Sequence, residues 1–310
     1  MKNETIKRIN NCYKNLYLSI TTISILIILL ISKNMYFDLY NINLKNFTQN
    51  EQTIANITYL IFSITTSLAF LIKHKSDTES QFKKHMKIAL TGFATILIYK
   101  LTPILELAIL YYSKINISKM TIMAKTIYLI ICEIIIMGII AIINKEKLKK
   151  NFKDIKINYN EYFKKYLKLY ILALIIMMIS NLIINSITNN IAGNEETIRN
   201  TFNKAPIYMF FSAVIFAPFT EEMVFRNSIK NIITNKNTFI LISGLIFGAL
   251  HVIGNITTIY DVLYIIPYAT PGIALAIMLE KTDNIFVPMG IHFLHNGLLM
   301  TLQAILLFLK

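Results

Sequence analysis

The chain predicts an all-α fold, a polytopic membrane helix bundle, on three observations. Hydrophobic residues fill 55% of its 310 positions and charged residues only 15%, with a mean hydropathy of +0.54, whereas roughly a quarter of an ordinary soluble domain is charged. The apolar residues fall into runs near the roughly 17–25 needed to cross a hydrocarbon core. Lysines gather in the short connections between those runs. Water is absent from the bilayer core, so each run has to satisfy its backbone internally, as a helix does.

Nine runs are expected to span, at 16–32, 53–72, 88–112, 122–143, 167–187, 206–231, 238–253, 260–280 and 285–309. Eight remain if 238–253, the shortest, does not cross. The first run has the basic flank of a signal peptide, with Lys2, Lys7, Arg8 and Lys14, but Lys33-Asn34-Met35-Tyr36 follows it instead of a small-residue cleavage site. It is therefore expected to stay as an anchor. Lysine-rich connections at the N-terminus, 73–87 and 145–168 alternate with poorer ones at 33–52, 113–121 and 188–205. Positive-inside bias then puts the N-terminus in the cytoplasm, and the alternation continues through Lys230, Lys236 and Lys281 on the inner side.

The 145–168 segment is the strongest break in composition. Its apolar positions Leu148, Phe152, Ile155, Tyr159 and Tyr162 recur every three to four residues. That spacing fits an amphipathic helix on the inner leaflet, while the lysines fit equally a solvated loop. The segment is expected to be a basic cytoplasmic part of an N-terminal transmembrane region, 1–200, which precedes a C-terminal catalytic four-helix core, 205–310, that carries the motifs. The formal charge of +14 comes from these connections, so its expected partner is anionic lipid and not nucleic acid. Cys12 and Cys132 are too few and too scattered for a disulfide framework or a cysteine metal site. The wealth of isoleucine, asparagine and lysine suggests an AT-rich bacterial genome and carries no chemistry.

Three of the five histidines lie in apolar segments of the last third, in company with a glutamate pair. Ionisable groups within such segments are costly and mark functional sites. Glu222 and Arg226 are four apart, acidic residue first, and can pair on one helix face. Glu221 points about 100° away and is left freer, suited to take a proton from water if its surroundings hold its pKa near neutrality. Pro218 leaves a carbonyl unpaired one turn back. His251 follows Phe247 by four and His292 precedes Asn296 by four, so each pair shares a face. Measured from turns near Asn235 and Asp283 at about 1.5 Å per residue, Glu221, His251, His292 and Asn296 reach similar depths. His295 reads as a packing residue. Lys100, Glu106 and Glu133 read as a charge pair, Lys100 with Glu133, or as part of an ion path in a non-enzymatic immunity or transport protein.

The stretches APFTEEMVFRN at 217–227, SGLIFGALHVI at 243–253 and NIFVPMGIHFLHNG at 284–297 resemble the CPBP family, the CAAX-protease and bacteriocin-processing membrane enzymes also called Abi. The resemblance covers about 205–310 and departs at Asn227, where that family usually has glycine. It implies an intramembrane glutamate-dependent endopeptidase acting on a membrane-associated peptide or protein, lipidated in some members. By that resemblance Glu221 activates water, His251 helps to hold it, His292 and Asn296 donate to the oxyanion, and Glu222 and Arg226 support Glu221. No cofactor is expected. The alternative is a zinc protease using the same residues, against which stands the lack of HExxH or of a carboxylate four from a histidine.

Overall fold

Apolar runs bounded by lysine-rich connections fold into helices throughout the residues described by the computed structural model, which are 2–39, 48–75, 78–114, 116, 119–188, 193–233, 235–253 and 259–309. We number them α1 (Lys2–Leu39), α2 (Gln49–His74), α3 (Glu79–Lys100), α4 (Thr102–Ser113), α5 (Ile122–Ile143), α6 (Lys145–Thr188) and α7 (Gly193–Lys204). There follow α8 (Pro206–Ile232), α9 (Lys236–Val252), α10 (Ile265–Thr282) and α11 (Phe286–Phe308). No strand occurs among the described residues. The chain forms two packing units, Met1–Lys87 and Ile88–Lys310. In the first, α1 packs along α2, and the buried Lys14 donates from Nζ to the Lys75 carbonyl at 2.8 Å. All the motif residues lie in the second.

Among the described residues six helices are long and apolar enough to cross a membrane, seven if α3 and α4 make one bent span, against the nine expected. Among the segments that do not qualify, α9 has 17 residues, about 26 Å of helix at 1.5 Å per residue, short of a hydrocarbon core of about 30 Å. The expected 16–32 span falls within α1, some of whose side chains lie outside the described residues. The expected helix 88–112 is broken instead, by a 53° bend between Lys100 and Thr102. Pro103 is the cause, since it brings no N–H and disfavours helical backbone in the residue before it. Thr102 covers part of the break by donating from Oγ1 to the Tyr99 carbonyl at 2.8 Å.

The 145–168 segment is neither a loop nor a separate surface helix. It continues into the following span as a single helix of 44 residues, about 66 Å long. Part of the apolar stripe meets protein: Leu148 joins one core with α10 and α11, and Ile155 and Tyr162 join another with Tyr166 and Tyr170, while Phe152 and Tyr159 stay exposed. Buried amides lock its start to the α10–α11 turn. Asn151 donates to the Asp283 carbonyl at 3.1 Å and accepts from the Ile285 N–H at 2.9 Å. Asn284 donates to the Asn151 carbonyl at 2.8 Å and to Asp154 Oδ2 at 2.6 Å. At the turn itself Asp283 caps α10 in the left-handed region and meets Lys147, Lys150 and Lys230 at 3.0, 3.7 and 3.3 Å. Burial raises its carboxyl, but the Lys147 hydrogen bond and the charges of Lys147 and Lys230 outweigh that and hold it below the usual carboxylate range.

Helices α9 and α10 approach closely through glycine. Gly244 and Gly248 lie one turn apart on the α9 face against α10, the small-xxx-small spacing that lets membrane helices bring their backbones together. A Cβ at Gly248 would sit 2.7 Å from the Ile265 carbonyl oxygen and 2.8 Å from the Ala269 nitrogen. Gly248→Ala therefore has to push two backbones apart and is expected to cost about 1–3 kcal/mol, read as a lower melting temperature in detergent. Gly138→Ala is the control, because nothing lies within 4 Å of a Cβ there; equal melting of the two variants would contradict the close packing.

Candidate active site

Helix α8 carries the glutamate pair and is not a plain α-helix. Ser212–Phe216 and Glu222–Ser228 are π-helical turns on either side of an α segment, Ala217–Glu221. π-turns inside helices recur at functional sites. The first one ends at Pro218 for a physical reason. The Ala217 N–H reaches the Ser212 carbonyl, five residues back. Continuing the register would need an N–H at residue 218 for the Ala213 carbonyl, and proline has none. Asn296 of α11 supplies the missing donor, from Nδ2 to the Ala213 carbonyl at 2.7 Å. The second π-turn is braced likewise: Ser228 donates to the Met223 carbonyl at 2.9 Å and Ser243 of α9 to the Phe225 carbonyl at 2.6 Å.

Within that frame the two glutamates part company. Glu222 and Arg226 are both 0% exposed and pair at 3.2 Å between Oε2 and Nε. The other oxygen, Oε1, lies 2.9 Å from Nδ1 of His292, itself buried. An ionised carboxylate only accepts, so opposite Arg226 the histidine nitrogen is the donor of this bond. Arg226 is held further by its Nη2 bond to the Gly272 carbonyl at 3.2 Å and lies over the Phe247 ring at 4.3 Å, a cation–π arrangement. Its Nη1 makes no hydrogen bond. Glu221 keeps 13% of its side-chain surface exposed, and its Oε2 lies 3.9 Å from Nε2 of His292.

Phe247 is the hub between histidines. Its ring meets His292 edge-on at 5.9 Å and His251 at 4.5 Å. His251 donates from Nδ1 to the Phe247 carbonyl at 2.8 Å, since a carbonyl can only accept, and stacks on Tyr268 at 5.0 Å. Both histidines thus commit Nδ1, to a carboxylate and to a carbonyl, and in the neutral tautomer both leave Nε2 with a lone pair. His295 packs edge-on against Tyr170 at 5.8 Å.

The structure therefore joins Glu221, Glu222, Arg226, His292, Phe247 and His251 into one contiguous set. Asn296 stands apart from the carboxylates, with an amide hydrogen on Ala213. Lys100 and Glu133 do not form the expected pair. Glu133 of α5, buried, accepts from Ser212 Oγ at 2.6 Å and from Tyr208 at 3.3 Å, while Lys100 is within electrostatic range of Glu221. Asn227 is a structural residue in its own right: buried, it donates to Asn144 Oδ1 at 3.2 Å, and Asn144 donates to Thr95 Oγ1 at 2.9 Å. Tyr268, Tyr170 and Ser212 were not singled out from the sequence, because no local pattern separates them from ordinary helix residues. Among the described residues no three His, Cys, Asp or Glu side chains form a metal-ligand group.

Residues 203–298 match the family model described as type II CAAX prenyl endopeptidase Rce1-like. That stretch contains all six expected site residues. The match is confined to the C-terminal third of the chain. The chain is also 26% identical over 113 residues to the Bacillus subtilis (strain 168) protein described as "Putative membrane peptidase YdiL", covering 36% of this chain and 43% of that relative. The chain thus spans less than half the length of the curated relative it matches. No solved structure matches.

The buried pair yields a test of its own. Arg226→Met leaves Glu222 with a single partner in a site closed to water, and breaking a buried pair costs about 3–5 kcal/mol. The variant is expected to melt well below wild type in detergent. The double variant Glu222→Gln/Arg226→Met should lose less than the sum of the two single changes, and an additive result would show that the pair is not coupled.

Proposed function

We propose that this protein is an intramembrane endopeptidase that hydrolyses a peptide bond of a membrane-associated peptide or protein with water activated by Glu221. The observation that carries the reading is the division of labour between adjacent carboxylates: Glu222 is fully buried on Arg226 and His292, and Glu221 is left partly open, facing Nε2 of the same histidine. The family match of 203–298 supplies the reaction class.

Charge balance supports the assignment. Glu222 offsets Arg226, and a second ionised carboxylate at Glu221 is offset when His292 carries protons on both nitrogens. His292 then presents an Nε2–H beside Glu221. Glu221 takes a proton from water held with the help of the His251 Nε2 lone pair, and the hydroxide attacks the carbonyl. As negative charge builds on the carbonyl oxygen, Nε2–H of His292 and the second amide hydrogen of Asn296 are the donors to it. The proton held by Glu221 leaves with the departing amine. Glu222 and Arg226 touch no substrate; they hold the His292 ring in place through its Nδ1.

Glu221→Gln keeps size and polarity and deletes the acceptor, so turnover of a quenched peptide in detergent should fall by roughly two to four orders of magnitude with folding retained. Asn296→Ala should lower turnover about a hundredfold at little change in KM. Full activity in Glu221→Gln would sink the mechanism. Activity lost on dialysis against chelator, and regained with one zinc per chain, would favour the metalloprotease alternative instead.

We further propose that the N-terminus faces the cytoplasm, as the lysine distribution argues. Cys12 is exposed and Cys132 buried, so a membrane-impermeant maleimide should label the protein in lysed but not in intact cells. Labelling of intact cells would reverse the orientation.

A further inference from the structure

The first π-turn of α8 is gripped from two sides at consecutive residues. Asn296 of α11 takes the Ala213 carbonyl at 2.7 Å, and Glu133 of α5 takes the Ser212 hydroxyl at 2.6 Å. The behaviour of Ser212 is unlike that of its peers. Thr95, Ser180 and Thr220 turn their hydroxyls back onto the carbonyl four residues earlier in their own helices, the default for such residues in an apolar helix. Ser212 instead reaches out to a carboxyl on another helix, and Tyr208, one turn before it, adds a bond of 3.3 Å to the same oxygen. Glu133 is only 3% exposed, and its Oε2 has no hydrogen-bond partner. A buried acidic group is costly, and here it is spent on one turn of one helix.

That turn governs where the glutamates point. A π-turn takes up one residue more than an α-turn, so everything after it is rotated by about 100° relative to an uninterrupted helix. Without the extra residue, Glu221 and Glu222 would exchange faces with their neighbours, and the bond from Glu222 to His292 of α11 could not form. π-turns are the less stable register and need outside support. We infer that Glu133, acting through Ser212 and Tyr208, sets the register of this turn and so aims Glu221 and Glu222, which makes the three of them positioning residues for the proposed reaction. The role rests on the peptidase reading for its kinetic consequence, but the register itself can be measured without turnover. It also replaces an ion-path role for Glu133: an acceptor oxygen is required, and a charge is not.

Glu133→Leu removes the acceptor, and a misplacement of about 1 Å in a catalytic group costs up to roughly a hundredfold. We expect kcat to fall at least about tenfold with KM within about twofold, and Ser212→Ala to show the same split more weakly. Glu133→Gln keeps a carbonyl for both hydroxyls and should restore kcat to within about threefold of wild type. A merely structural role would lower the folded fraction and leave kcat per folded molecule intact. Glu221→Gln, assayed alongside, reports on the peptidase reading separately. In a Cys12→Ser, Cys132→Ala background, a thiol introduced by Glu221→Cys reports the register directly. Adding Glu133→Leu should change its alkylation rate by about fivefold or more, and adding Glu133→Gln should not. An unchanged rate with Glu133→Leu overturns the inference whether or not the protein cleaves peptides. So does a Glu133→Gln variant as impaired as Glu133→Leu, which would show that the charge is what matters.

Discussion

An ion pair closed off from water shapes the C-terminal unit. Glu222 and Arg226 have no exposed surface, so the partners they do have are protein groups, drawn from α8, α9, α10 and α11 together. His292 comes from α11, the Gly272 carbonyl from α10, and the Phe247 ring from α9. A buried pair of this kind is a weak source of net stability. Its effect is specificity: only one mutual placement of the four helices satisfies it, and that placement leaves Glu221 beside His292 at the edge of the buried region.

Close backbone approach makes the placement reachable. Gly244 and Gly248 let α9 lie against α10, and Gly272 lets Phe247 pack where a side chain would otherwise stand. Phe247 can then touch Arg226, His251 and His292 at once. The π-turns of α8 are the second half of the arrangement. They place the glutamates out of the phase an α-helix would give, and the loss of regular backbone bonding is met by side chains, Asn296, Ser228 and Ser243, that come from both the same and neighbouring helices.

At the lysine-rich end the same economy of polar groups recurs with asparagine in place of charge. Asn151 and Asn284 tie the first turns of α6 to the α10–α11 turn, and Asn144 ties α5 to α3 and α8. The α10–α11 turn lies two helical turns before His292, so its anchoring fixes the depth of that histidine. Helix α6, whose sequence does not announce a part in the site, thereby holds the histidine-bearing helix at its base and lines it at mid-height through Tyr166 and Tyr170.

The sequence by itself determined the helical class, most of the helix positions, the turns near Asn235 and Asp283, and the pairing of Glu222 with Arg226. Each of these is local: hydropathy over one run, a cap residue, or a spacing of four along one helix. The common depth of Glu221, His251 and His292 followed too, because helix rise is constant. What only the tertiary structure decided is everything that depends on a partner from elsewhere. The periodic stripe of 145–168 fitted a helix on lipid as well as a solvated loop, and packing gave Leu148, Ile155 and Tyr162 protein partners instead. Pro218 announced a free carbonyl, but that Ala213 holds it and Asn296 serves it required a π-register that no residue pattern encodes. Glu133 was expected to meet Lys100 and meets Ser212 and Tyr208, because a buried acceptor takes whichever donors the neighbouring helix presents, and their identity is set by how the helices are rotated against each other.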